Sequence, residues 1–354
     1  MTTYQTFFKV GSNEKTYLRT NLVQIKDGPS SGSFYRIELK KALSPKESVT
    51  VEVETVLAKA LEMFPKELVQ RERQLVLFKG NHYVFLPYKS KSQTTKVTLS
   101  GTAIESYSKL KPVSVSDAVI TYGPYANVEP FTFDEMSVHY ENNSPFLVVS
   151  HMERVVELSM WGNIAIEETI DARHNGAVLK GSFSRYEFQR ENSGVAAIKS
   201  FKTFLPAAAN GVYYRDDIGN ISTSAMRVLD DAVEVDLRPR FPLFGGWKTH
   251  YVLGYNVPSY EYLYNAGDDF VLKMRLLDHV FDDMLVEDFT LKIILPEGSK
   301  VGKFDSPFPT KRLPDTLHYT YLDIQGRPVV TIKNVGDLTE KNILDFELAF
   351  KFSK

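Results

Sequence analysis

Paired carboxylates are the residues here best suited, by type, to hold a metal or a diphosphate. Asp216-Asp217, Asp230-Asp231, Asp268-Asp269 and Asp282-Asp283 all lie in the second half of the 354 residues. Metal-assisted sugar transfer uses Asp-x-Asp, a spacing that this chain lacks. Adjacent carboxylates on a strand point to opposite faces and do not share an ion. A calcium loop needs six to eight oxygens and an Asp-x-Asp-x-Asp-Gly series, also absent. Solubilising turns and Asx caps are the simpler reading of the pairs. The histidines, His82, His139, His151, His174, His250, His279 and His318, form no His-Glu-x-x-His helix site. There is no Gly-x-Ser-x-Gly elbow and no phosphate loop ending in Gly-Lys-Ser/Thr. Without cysteine, thiolate zinc sites, disulfides and thiol nucleophiles are excluded. The expectation is a non-catalytic chain without metal or cofactor.

Other residues point to binding and architecture. Eight aromatics fall between Phe241 and Tyr264: Phe241, Phe244, Trp247, Tyr251, Tyr255, Tyr260, Tyr262 and Tyr264. Pro239, Pro242 and the Gly245-Gly246 pair fix the backbone ahead of them. Tyr251, Leu253 and Tyr255 would share one face of a strand, His250 and Val252 the other. Phe241, Phe244, Trp247, Tyr260, Tyr262 and Tyr264 are the candidate interaction or packing surface. Two Asn-x-Ser sequons occur, at Asn142 and Asn220. Asn220 follows the polar turn Asp216 to Gly219, which favours it as acceptor. Pro145 behind Asn142-Asn143-Ser144 restricts the backbone there and argues against Asn142.

The elements that must carry these residues are strands. Apolar positions alternate in Tyr35-Ile37-Leu39, Val49-Val51-Val53, Thr95-Val97-Leu99 and Met136-Val138-Tyr140. The second half adds Ile164-Ile166-Glu168, Val233-Val235-Leu237, Phe289-Leu291-Ile293-Leu295 and Phe346-Leu348-Phe350-Phe352. Such sets read as half-buried antiparallel strands. Val56 to Leu68 carries an amphipathic helical pattern interrupted by Pro65, and Thr339 caps a turn or two of helix to Leu344. The fold class is all-β, two tandem β-sandwich-like domains with minor short helices. The domains are expected at 1–150 and 151–354, divided near Ser150 after Asn142-Asn143-Ser144-Pro145. Balanced charge, 42 basic against 44 acidic residues, argues against nucleic acid as a partner. No apolar run is long enough to span a membrane, no signal peptide is visible, and the chain reads as a piece of a longer protein.

Several blocks, in this order, carry a family resemblance: Lys79-Gly-Asn-His-Tyr, Glu105-Ser-Tyr-Ser-Lys-Leu, His139-Tyr-Glu-Asn-Asn-Ser-Pro-Phe and Trp161-Gly-Asn-Ile-Ala. His174-Asn-Gly-Ala-Val-Leu-Lys-Gly-Ser-Phe-Ser-Arg-Tyr, Phe204-Leu-Pro-Ala-Ala-Ala and Tyr214-Arg-Asp-Asp-Ile-Gly-Asn-Ile-Ser-Thr-Ser follow. After the aromatic block come Ile293-Ile-Leu-Pro-Glu-Gly and Leu317-His-Tyr-Thr-Tyr-Leu-Asp. From about Phe34 to the end the chain resembles the ribophorin I family, accessory subunits of the oligosaccharyltransferase complex; the first 33 residues match poorly. The resemblance implies most of a lumenal region in the endoplasmic reticulum, with the first strands of the first domain missing. It implies a single membrane helix outside this chain as the only membrane attachment. The implied partners are the other subunits, the catalytic one included, and nascent polypeptide guided toward it. The family also has a sequon at the place of Asn220. The family's catalytic subunit carries Trp-Trp-Asp-Tyr-Gly; Trp161 and Trp247, the two tryptophans here, sit in no such motif. Two rival readings are a stand-alone glycan- or peptide-binding β-module and the non-catalytic β-domain of an aminopeptidase-like hydrolase.

Overall fold

The computed structural model describes residues 4–10, 20–24, 34–39, 42–144, 146–190, 195–321 and 323–353. Strands make up nearly all of their regular structure. The helical elements among the described residues are Arg185–Arg190 and two 3-10 turns, Ser259–Glu261 and Glu340–Asn342. The fold is all-β. By internal contacts the chain forms two units, 1–65 with 74–142, and 66–73 with 143–354. A division at Ser150 would cut the strand Leu147–Leu158 near its start. The short segment 66–73 joins the second unit because Glu67–Leu68 pairs in parallel with Val178–Leu179.

In the first unit, Leu75–Asn81 pairs antiparallel with Glu135–Glu141, and Ser90–Thr98 with Val119–Val128. Met136, Val138 and Tyr140 are buried on one face of their strand, and Leu99 closes the buried face of another, as their alternation predicts. The ring of Tyr122 lies edge-on to His82 at 4.7 Å, and its hydroxyl donates to the Ser108 carbonyl at 2.9 Å. Two expectations fail in this unit. Val51–Leu57 pairs with Tyr4–Val10 in a two-stranded ribbon. Val49 and Val53 are exposed there, while Val51 and Glu54 are half-buried. Alternation reports a buried face only where a second layer covers it. Val56 to Leu68 forms no helix. Leu61–Met63 pairs with Leu75–Asn81, and Lys59 takes a φ of 58°, outside helical geometry.

The second unit is built on one large sheet. Its centre is the hairpin Leu147–Leu158 and Asn163–His174. Lys248–Pro258 pairs with the latter; Phe289–Ile294 runs parallel to the former and is followed by Arg327–Asn334. Two smaller sheets share its core. One is Phe201–Pro206, Ala232–Leu237 and Ala225–Val228; the other is Leu263–Ala266, Asp269–Arg275, Asp345–Lys351 and Lys300–Asp305. Phe289, Leu291, Ile293 and Leu295 meet Val233, Val235, Leu237, Phe346, Leu348 and Phe350 in a single buried cluster. Each such side chain stabilises the unit by about 1.5–3 kcal/mol through burial. Thr339 precedes the turn Glu340–Asn342, and the Asn342 side chain accepts the Thr339 N–H at 2.9 Å, a capping-box contact.

Candidate functional site

The aromatic block divides into an inner and an outer set. Tyr251, Leu253 and Tyr255 face the core from Lys248–Pro258, and His250 and Val252 take the other face. Phe244 is buried and Trp247 half-buried; the Trp247 ring meets Phe241, Phe244 and Phe183 at 5.9, 5.3 and 5.8 Å. Phe188, on the helix Arg185–Arg190, completes this cluster 5.9 Å from Phe244. Phe241 is largely exposed at its margin. The glycine pair makes this packing possible. A Cβ on Gly245 would stand 1.8 Å from the Ala177 carbonyl oxygen, and Gly246 has φ +83°, a region other residues avoid. Tyr262 packs against the core, whereas Tyr260 and Tyr264 point outward. Phe244, Trp247 and Tyr262 are therefore packing residues. Phe241, Tyr260 and Tyr264 are exposed.

The two sequons have opposite surroundings. Asn220 lies in a short hairpin in which Arg215 pairs with Asn220 and Asp216 with Gly219. Asp216 Oδ1 accepts the N–H groups of Ile218 and Gly219, both at 3.0 Å, as an Asx turn does. Arg240 holds the same carboxylate at 2.8 Å; hydrogen bonding to Arg240 is the main reason its pKa falls to about 2. The turn thus stays ordered while the side chains of Asn220 and Ser222 are exposed. Asn142 is 7% exposed. Its backbone exchanges contacts with Gln74, the N–H donating to the Gln74 carbonyl at 2.9 Å and its own carbonyl accepting the Gln74 amide at 3.0 Å. Burial of the acceptor sets Asn142 apart; Pro145, on which the sequence argument rests, lies outside the described residues.

The acid pairs sit in turns. Asp269 pairs with Lys351 at 3.0 Å, and the Asp268 carbonyl accepts the Phe352 N–H. Asp282 comes within 3.2 Å of His279, and Glu340, distant in sequence, within 3.9 Å. Ligand-type atoms of His279, Asp282 and Glu340 lie within 4.8 Å of one another. Glu340 Oε1, however, already accepts the Asp283 N–H at 2.6 Å, and the Asp282 side chain is 81% exposed. Glu340 thus serves to close the turn at Asp283. In the first unit a shallow depression of about 430 Å³ is lined by Thr102, Glu105, Ser106, Tyr107, Lys109 and Asp117, without convergent buried groups.

One charged constellation is fully buried. Arg154 and Glu168 face each other across the central hairpin, their guanidinium and carboxylate in direct contact. Arg154 Nη1 also donates to Asp278 at 2.7 Å and Nη2 to the Tyr255 hydroxyl at 3.3 Å; that hydroxyl donates to Asp278. Burial works against the Arg154 charge, but Asp278, Tyr255 and Glu168 outweigh it and hold the guanidinium protonated. One cation cannot balance two buried carboxylates. Burial accordingly raises the pKa of Glu168 to about 7, opposed by Arg154 and reinforced by Asp278. The sequence carried half of this signal, a glutamate at an apolar position after Ile164 and Ile166. It gave no hint of Asp278, more than a hundred residues away, nor of Trp161, which is 98% exposed on a hairpin turn.

Residues 4–354 match the sequence profile of the family Ribophorin I. The chain is 43% identical over 322 residues to dolichyl-diphosphooligosaccharide–protein glycosyltransferase subunit 1 of Caenorhabditis elegans, covering 89% of this chain and 55% of that protein. It is 38% identical over 347 residues to subunit 1B of Arabidopsis thaliana, covering 96% and 74%. It is 37% identical over 331 residues to subunit 1B of Oryza sativa subsp. japonica, covering 92% and 69%. The chain therefore spans between about half and three quarters of the length of these relatives. Among solved structures, an M1 zinc metallopeptidase from Deinococcus radiodurans aligns at TM-score 0.35 and 11% identity, over 58% of this chain and 42% of that one. A score that low decides neither fold nor activity. With the full described length matched and relatives this similar, the chain belongs to the ribophorin I family.

Proposed function

We propose that this chain forms a lumenal, non-catalytic part of an oligosaccharyltransferase subunit in the endoplasmic reticulum, a scaffold that also guides acceptor polypeptide toward the catalytic subunit. The observation that carries the reading is the match along residues 4–354 to a family whose relatives are named subunit 1 of the glycosyltransferase. The side-chain chemistry supports it: Asp216 caps a turn, Asp269 pairs with Lys351, and the buried carboxylates Glu168 and Asp278 serve an internal arginine. Exposed Phe241, at the edge of the Trp247 cluster, gives the partners, whether other subunits or nascent chain, an aromatic contact. Incubated with lipid-linked oligosaccharide, acceptor peptide and Mg²⁺ or Mn²⁺, the isolated chain should yield no glycopeptide above a no-protein control. The tagged full-length protein should co-purify with transferase activity. Glycopeptide from the isolated chain, or a full-length protein that never accompanies the transferase, overturns the proposal.

The same reading implies that the chain is itself glycosylated. Made in the secretory pathway, it should carry an N-glycan on exposed Asn220 and little or none on buried Asn142. Mass spectrometry with and without endoglycosidase checks this; full occupancy at Asn142 with bare Asn220 would reverse the order.

A further inference from the structure

One end of the large sheet of the second unit presents large apolar side chains on three separate turns. The hairpin turn after Leu158 carries Trp161, 98% exposed. Beside it, Asn163 pairs with Pro258, and the Ser259 N–H donates to the Gly162 carbonyl at 3.0 Å. This sets Tyr260, 78% exposed, on the neighbouring turn. On the far side of the hairpin, Glu157 pairs with Ile294 and Ile294 with Val329. His318 pairs with Arg327, so the turn between them opens at the same end. That turn carries Tyr321, 95% exposed, and Ile324, 89% exposed. Arg327 ties the turns together. It donates to the Leu158 carbonyl at 2.9 Å and the Leu295 carbonyl at 3.1 Å and pairs with Glu157.

Three properties of this rim select its partner. First, the side chains stand almost free of the surface, as wedges do; the centre of a flat protein interface is instead already partly packed. Second, they are mainly Trp and Tyr, whose amphipathic rings settle at a membrane–water boundary, where choline headgroups add cation–π attraction. Third, the neighbouring carboxylates turn inward. Asp323 accepts the Thr320 N–H and hydroxyl at 2.7 and 2.9 Å, and Glu297 accepts the N–H groups of Ile324 and Gln325. The acids are thereby kept from the headgroup phosphates, and the N–H groups of Thr320, Ile324 and Gln325 are satisfied before the tip leaves water. Arg327 is paired with Glu157, and Lys351 with Asp269 at 3.0 Å, so the attraction is not one of net charge.

We propose that this end of the second unit rests on a lipid surface, with Trp161, Tyr260, Tyr321 and Ile324 inserted at the headgroup level of a zwitterionic bilayer. The proposal rests on reading the chain as part of a membrane-bound transferase, and it adds a direct lipid contact to the single-helix attachment expected from the resemblance. It is tested with the full 354-residue chain and phosphatidylcholine vesicles. The wild-type chain should co-sediment, and about 1 M salt, where the screening length is about 3 Å, should not release it. Brominated lipid should quench Trp161, measured in a Trp247→Phe chain, and spare Trp247, measured in a Trp161→Phe chain. The triple substitution Trp161→Ser, Tyr321→Ser and Ile324→Ser should lower the partition coefficient at least about tenfold with an unchanged melting curve. Failure to co-sediment, release by salt, or unaltered binding of the triple variant overturns the lipid contact. So does a photo-crosslinker at position 161 of the full-length protein that captures protein or glycan in native membranes instead of lipid. A full-length triple variant that still co-purifies with the transferase separates this question from the one above.

Discussion

Replacing Arg154 by methionine should destabilise the second unit by about 3–5 kcal/mol, because it leaves Glu168 and Asp278 buried without their cation. For a unit of this size that corresponds to roughly 6–20 °C in melting temperature. The size of the loss should depend on pH, with a sign set by Glu168. Burial raises its pKa from 4.5 to about 7 in the folded state. The folded chain therefore binds more protons than the unfolded chain between those values. Its contribution to stability is fully present below about pH 4.5 and is lost as pH rises through about 7. Thermal unfolding of the wild type should show this decline, and Glu168→Gln should flatten it. Without the arginine the carboxylate holds its proton still more firmly, so Arg154→Met should cost more at pH 7.5 than at pH 5. Equal losses at both values would mean that Glu168 does not hold its proton in the folded chain as its burial implies. A triple replacement of Arg154, Glu168 and Asp278 by apolar residues of similar volume should recover much of the loss, since no unpaired charge remains.

Phe350→Ala should cost about 3–5 kcal/mol. Phe350 is 2% exposed and stacks on Phe270, ring centroids 5.4 Å apart and planes 15° from parallel. Phe346 and Leu348 on the same face are wholly buried, so neighbours held by their own packing cannot easily collapse into the void. Phe352→Ala should cost distinctly less, because that ring is half-buried and lies just beyond the strand Asp345–Lys351. Urea unfolding of the two variants compares them directly. An unchanged midpoint for Phe350→Ala would show that the strand is not a core element.

These predictions mark what could be read from residue order. Where two layers close over a strand, alternation is a direct image of burial, and Phe289 to Leu295, Met136 to Tyr140 and Phe346 to Phe350 are legible for that reason. Val49 to Val53 shows the limit, since the same period on an uncovered ribbon marks no core. Val56 to Leu68 shows another: strand pairing with Leu75–Asn81 overrides a local helical pattern. The aromatic block was legible as a concentration of rings, but its division into packed Trp247 and exposed Tyr260 depends on contacts with Phe183 and Phe188, far away in sequence. The polar turn from Asp216 to Gly219 is legible, and Asn220 follows it in a short strand; the burial of Asn142 depends on Gln74, a neighbour that spacing does not reveal. Trp161 illustrates the same gap from the outside, because nothing local distinguishes a tryptophan that packs from one that stands free.

The parallel pairing at the centre of the large sheet has a consequence for how the chain is made. Met152 lies opposite Phe289, 137 positions later. At synthesis rates of about 5–20 residues per second, the edge of Leu147–Leu158 waits roughly 7–27 s for the strand that covers it. During that interval a long apolar strand with unpaired amides is open to any other extended chain, the situation in which β proteins aggregate. Contacts of such long sequence separation also close slowly after synthesis, because the intervening loop must lose its entropy first. Refolding of the second unit should therefore lag well behind that of a hairpin-built domain of equal size, and holding chaperones should bind nascent chains that stop between residues 158 and 289.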